Sequence, residues 1–137
     1  MAVGIAVLGL NALASAWGGI AWLRRDPSTF FWYVLRAAQG AVVVQAVLGF
    51  VLLAEGHEAP DGLHLLYGIT PLVVAFVTEG MRAGAAQAEV AQVEDVEALE
   101  RREQVLLARR VVMREMGVMT IGTLMIVTLS LRAAMIF

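Results

Sequence analysis

The sequence predicts an all-α chain, an integral membrane bundle of four transmembrane helices with a charged helical segment between the third and the fourth. Three observations lead there. The chain is 60% hydrophobic over 137 residues, against roughly 45–50% for a soluble globular domain. Its mean hydropathy is +0.77. The charges are gathered mostly between residues 79 and 115, leaving four apolar stretches at about 2–23, 29–54, 62–82 and 115–136. Each is near the ~20 residues that a helix needs to cross a bilayer. One transmembrane domain over 1–137 accounts for them all.

The first stretch, MAVGIAVLGLNALASAWGGIAWLRRDP, is not a signal peptide by its pattern. A signal peptide carries its positive charge before the apolar run, and here Arg24 and Arg25 follow it. It is expected to be a retained span. Gly4, Asn11, Ser15, Gly18 and Trp22 recur at spacings of 7, 4, 3 and 4, one face of a helix. Small residues on that face would admit a neighbouring helix closely.

Pro27 separates the first two stretches and Pro60 the second and third, each where a helix should stop or start. The second stretch carries Arg36, Gln39 and Gln45. The third begins after Asp61, an N-cap residue type, and aligns His64, Tyr67, Pro71, Ala75, Thr78 and Arg82 on one face, with Glu79 at its border. The fourth places Thr120, Thr123 and Ser130 together. Polar groups in hydrocarbon are costly and turn to the bundle interior.

The segment 83–114 has no proline and is rich in Ala, Glu, Leu and Arg, so it is helical by propensity. Glu97 and Arg101 stand at i,i+4 spacing, and Val90, Val93 and Val96 give an apolar edge. A membrane-surface helix, a projecting helical hairpin and an inward extension of the fourth span all suit it. It serves as a solvated connector or as a docking surface for a partner subunit.

Arginine placement orients the chain. Arg24, Arg25, Arg82, Arg101, Arg102, Arg109, Arg110 and Arg114 fall on one side, eight of the ten cations, all of which are arginine. That side is expected to be cytoplasmic. Both termini and the acidic 55–61 loop are then extracytoplasmic, on a multi-pass chain of a bacterial cell membrane. The absence of lysine hints at a GC-rich or heat-adapted source.

Depth follows from position. Arg36 lies 18 residues from the outer end of its stretch and Glu79 17 from that of its own, so both sit about 26 Å down at 1.5 Å per residue. An Arg36–Glu79 ion pair is expected, which would lower the cost of burying either charge. The alternative is that Arg36 snorkels to the headgroups beside Trp32 and Tyr33. Asn11 and Gln45 share a depth too, nine residues from their outer ends, and are candidates for an interhelical hydrogen bond. His64, Tyr67 and Arg132 are expected to converge near the outer face.

The chain has two histidines, both within EGHEAPDGLHLLYG at 55–68. His57 belongs to the acidic loop and is expected to be solvated. His64 opens the third span, where the plain expectation is an interfacial histidine bonded to water, headgroups or Glu58. An axial haem ligand, a proton relay with Tyr67 and a quinone-binding group are the functional alternatives. With no cysteine there is no disulfide or thiolate metal site. The two histidines with Glu55, Glu58 and Asp61 lack spacing that would fix a zinc or copper geometry. No phosphate loop, nucleophile motif or nucleic-acid patch is present, so a stand-alone enzyme is disfavoured.

The run RAAQGAVVVQAVLGFVLLAEGHEAPDGLHLLYG resembles part of a half-domain of haem A synthase. There a Gln-x-x-Leu-Gly-like element leads to an external loop, and the next helix opens with a haem-facing histidine. The corresponding residues are Gln45, Leu48, Gly49 and His64. Four-span cytochromes of the b561 type share the bundle logic. The resemblance covers about 35 residues and implies a fold and a haem b site at His64, with Arg132 at the propionates. The synthase reaction is not implied, since the family has two such halves and a second helical histidine in each. A second ligand would be His57, a methionine of the fourth span, or a residue of another chain.

Three functions are therefore in competition. One is an accessory or haem-binding subunit of a respiratory membrane complex. Another is a small oligomeric transporter or channel using Asn11, Arg36, Gln39 and Gln45. The third is a ligand-free assembly subunit. Each implies the lipid bilayer and other membrane subunits, or further copies of the chain, as partners.

Overall fold

The computed structural model describes residues 1–136 as four helices: α1 (Ala2–Leu23), α2 (Thr29–Ala54), α3 (Gly62–Ala91) and α4 (Arg101–Ile136). Each contains a window long and apolar enough to cross a membrane. Only 11% of that window is buried in α3 and 28% in α4. Apolar side chains thus cover the outside as well as the inside.

The helices end where local chemistry stops them. At the end of α2 the His57 N–H donates to the Leu52 carbonyl and the Gly56 N–H to that of Leu53. Gly56, at φ 87°, supplies the left-handed turn that this C-terminal motif requires. α1 closes in the same way, with Asp26 N–H on Ala21 O and Arg25 N–H on Trp22 O. Here the left-handed position, φ 54°, belongs to Arg25, at a cost of about 1–2 kcal/mol over glycine. Ser28 starts α2 by accepting from the Phe31 N–H at 3.3 Å, and also takes the Trp17 indole N–H at 2.8 Å. Asp61 starts α3, its Oδ1 accepting from the His64 N–H at 2.7 Å.

Around the bundle the order is α2, α1, α4, α3, and the seam between α2 and α3 is the sparsest. The close approaches rest on glycine. A Cβ at Gly18 would collide with Phe31 of α2 and Thr120 of α4. At Gly117 it would lie 3.1 Å from the Trp22 indole, and at Gly122 it would lie 2.5 Å from Thr78. The buried stripe of α1 is Val7, Asn11, Ala14, Gly18 and Ala21. It keeps Asn11 and Gly18 of the expected face, whereas Gly4 faces open space. Thr120 and Thr123 are buried, while Ser130 is only half-buried.

Two core clusters result. One joins Ala14, Ala21, Phe31, Leu35, Met116 and Met119 near the arginine-rich end, and the other joins Val7, Val42 and Ile126 toward the histidine end. The 83–114 segment is a helical hairpin: α3 continues to Ala91, residues 92–100 turn, and α4 begins at Arg101. The expected Glu97–Arg101 helical pair does not form among the described residues. Glu97 lies in the turn, where its N–H bonds Asp95 Oδ1 at 3.0 Å.

Candidate functional site

Two polar constellations lie at opposite ends of the bundle. At the arginine-rich end, Glu79 of α3 gathers donors from two helices, α2 and α3 itself. Arg36 Nη1 donates to its Oε1 at 2.6 Å, Gln39 Nε2 to the same oxygen at 2.8 Å, and Arg82 Nε to Oε2 at 2.7 Å. Arg82 Nη1 goes on to Glu115 Oε1 of α4 at 2.8 Å. The row Arg36, Glu79, Arg82, Glu115 therefore alternates in sign across α2, α3 and α4, and each charge neutralises its neighbour. The depth argument places Arg36 and Glu79 together, as they are; it did not find Gln39 or Glu115. Gln39 is one helical turn from Arg36, which was the available signal. Glu115 was hidden among the hairpin charges.

The hairpin has a similar lock. Glu89, 7% exposed, takes Arg114 Nε at 2.8 Å and lies 3.8 Å from Arg110 Nε. A buried carboxylate in that position requires such a partner.

At the histidine end, the loose α2–α3 seam opens into a cavity of about 200 Å³. Gln45, Gly49 and Leu53 line it from α2, His57 from the loop, and His64 and Gly68 from α3. The lining is mainly apolar, with two imidazoles at hand. The Gln45 Oε1 atom is buried without a hydrogen-bond partner. Such an acceptor costs free energy until a donor reaches it.

His57 is exposed, as expected of a solvated loop residue, and it also shares the cavity wall with His64. Gly56 is the cause, because its left-handed turn folds the loop back over the end of α2. Tyr67 and Arg132 do meet, Arg132 Nε donating to Tyr67 Oη at 2.8 Å. They join α3 to α4, and the cavity is lined from α2, the loop and α3.

The expected Asn11–Gln45 bond is not made. Asn11 Nδ2 donates instead to the Val7 carbonyl of its own helix at 2.8 Å. Equal depth did not suffice, because the α1 stripe bearing Asn11 is satisfied within one turn. The four residues of a polar path fall in three places: Asn11 on Val7, Arg36 and Gln39 on Glu79, and Gln45 in the cavity. Among the described residues, no group of three or more His, Asp or Glu is arranged to hold a metal ion.

These features define a four-helix, all-α chain with four helices apolar enough to cross a membrane, a neutralised charge row at one end and an imidazole-lined cavity at the other. No family model, curated protein or solved structure matches the chain.

Proposed function

We propose that the protein is a four-span accessory subunit of a redox membrane complex, and that its α2–α3 cavity holds the head group of a lipid-soluble quinol. The single observation behind this is the buried, partnerless Oε1 of Gln45, a residue that lines an apolar cavity together with His57 and His64. A quinol ring carries the hydroxyl donor that Gln45 lacks, and an imidazole can bond the second ring oxygen. The size agrees, since a cavity of about 150 Å³ holds one benzene ring and this one is about 200 Å³. The seam opens between two lipid-facing helices, which gives an isoprenoid tail a way out.

Haem b at His64 is the competing ligand. His57 is the nearest second imidazole for it, but a tetrapyrrole would leave most of its rings outside a cavity of about 200 Å³. Arg132, the expected propionate partner, is engaged by Tyr67. In the proposed placement the arginine-rich end and hairpin are cytoplasmic, and the cavity opens at the outer face of a bacterial cell membrane. The Arg36–Glu79–Arg82–Glu115 row then tethers three helices near the inner boundary.

The test is gentle detergent extraction of the protein, organic extraction of its bound lipids, mass spectrometry and an absorption spectrum. A quinone at near-stoichiometric amount, lost in Gln45→Leu and His64→Ala while the helical content is unchanged, is expected. A Soret band would assign the cavity to haem instead. A colourless, quinone-free protein of intact fold would leave a ligand-free assembly subunit.

A further inference from the structure

A second cavity, of about 520 Å³, lies between the C-terminal end of α1 and the hairpin part of α4. Arg25, Arg109 and Arg110 line it together with Trp22, Leu106 and Met113. We infer that it binds the phosphate head group of an anionic phospholipid, with the acyl chains lying along the apolar residues.

Charge complementarity carries the argument. Arg25 and Arg109 have no carboxylate ion pair among the described residues, although Asp26 adjoins Arg25 in sequence. Glu89 is the acid nearest Arg110, but it is occupied by Arg114 at 2.8 Å and stands 3.8 Å from Arg110. The cavity therefore presents two guanidinium groups without a carboxylate partner, those of Arg25 and Arg109, whose planar forks match phosphate oxygens. The site is also held in shape. Arg109 Nη2 donates to the Arg25 carbonyl at 2.7 Å, tying the α1 turn to α4. Arg25 occupies the left-handed position that a glycine would fill without strain.

The apolar half points to a lipid rather than to a free anion. Trp22 is 44% exposed and Leu106 47%, and both flank the arginines where the apolar part of α1 ends. Basic pockets beside the membrane ends of helices suit anionic lipid head groups. The inference rests on the membrane placement proposed above, but not on the quinol. Recovery of the wild-type protein in the membrane fraction tests that placement separately.

The experiment is native mass spectrometry of the full chain in mild detergent, titrated with phosphatidylglycerol, with phosphatidylcholine of the same acyl chains, and with inorganic phosphate. Phosphatidylglycerol is expected to be retained in preference to phosphatidylcholine. Losing one arginine should weaken that retention about fivefold, and losing two about thirtyfold. Arg25→Gly is the decisive variant, because it relieves the left-handed backbone. Retention should fall while the melting midpoint holds or rises, a combination that loss of folding does not produce. Arg25→Gly/Arg109→Gln supplies the double loss. The control Arg101→Gln/Arg102→Gln removes the same charge outside the cavity and should keep the preference. Equal retention of the two lipids, an equal loss in the control, or equal stabilisation by inorganic phosphate would overturn the inference.

Discussion

Glu79→Gln is the most informative single change, because it keeps the side-chain shape and removes only the charge. The variant's amide oxygen can still accept from Arg36 and Gln39, now as neutral hydrogen bonds. Its NH₂ group takes the place of Oε2, which accepts from Arg82 Nε at 2.7 Å, so two donors then face one another. The Arg36 side chain is 55% exposed, so its pairing counts as a surface ion pair of about 0.5 kcal/mol after screening. Arg82 and Glu79 are more enclosed, at 25% and 27% exposed. Breaking a fully buried pair costs about 3–5 kcal/mol, and half of that is reasonable for partial burial, giving about 2 kcal/mol. The total expected loss is about 2–3 kcal/mol. Arg82 retains Glu115 at 2.8 Å, which keeps the loss from rising further. Reversible unfolding in mixed micelles, followed by far-UV circular dichroism, would measure it. The double variant Glu79→Gln/Arg82→Gln should cost less than the sum of the singles by about 1–2 kcal/mol. A loss within about 0.5 kcal/mol of wild type, or strict additivity, would refute an energetically coupled row.

Other predictions follow from the same geometry. Gly18→Ala should cost about 1–3 kcal/mol in that assay by overpacking against Phe31 and Thr120, whereas Gly40→Ala, with nothing within 4 Å of its added methyl, should be neutral or slightly stabilising. Ser28→Ala removes both the α2 cap and the Trp17 partner; a loss of about 1–2 kcal/mol is expected, and unchanged Trp fluorescence together with unchanged stability would contradict it. Trypsin added outside right-side-out membrane vesicles should leave the 92–102 region intact, and in inverted vesicles it should cut at Arg101 or Arg102; the opposite pattern would reverse the proposed orientation.

Much of this was legible in the sequence because it is local. The apolar stretches 2–23 and 29–54 coincide with α1 and α2, since helix length follows from each stretch's own composition and caps. The Arg36–Glu79 pairing was legible for a related reason. Rise per residue is constant in a helix, so two positions at equal depth in neighbouring antiparallel helices can be matched by counting. The same count misplaced Asn11 and Gln45. Depth fixes height along the bundle but not rotation about each helix axis, and a side chain that can bond its own helix needs no neighbour. A hairpin was one of the readings of 83–114, but its turn at 92–100 could not be placed by counting, because it is held by side-chain contacts from Asp95 and from Gln104 of α4, whose amide donates to the Val96 and Leu99 carbonyls.

The sequence alone determined four apolar helices, their boundaries at the first two breaks, and the charge asymmetry of the two ends. Those properties depend on composition, capping and spacing within one segment. The tertiary structure decided which helices touch. Gly18, Gly117 and Gly122 draw α1, α4 and α3 together and leave the α2–α3 seam open. That choice put Gln45, His57 and His64 on one cavity and left Arg25 and Arg109 without carboxylates beside an apolar wall. Such features follow from contacts between residues far apart in the chain, where shape complementarity at a few glycines outweighs any local preference.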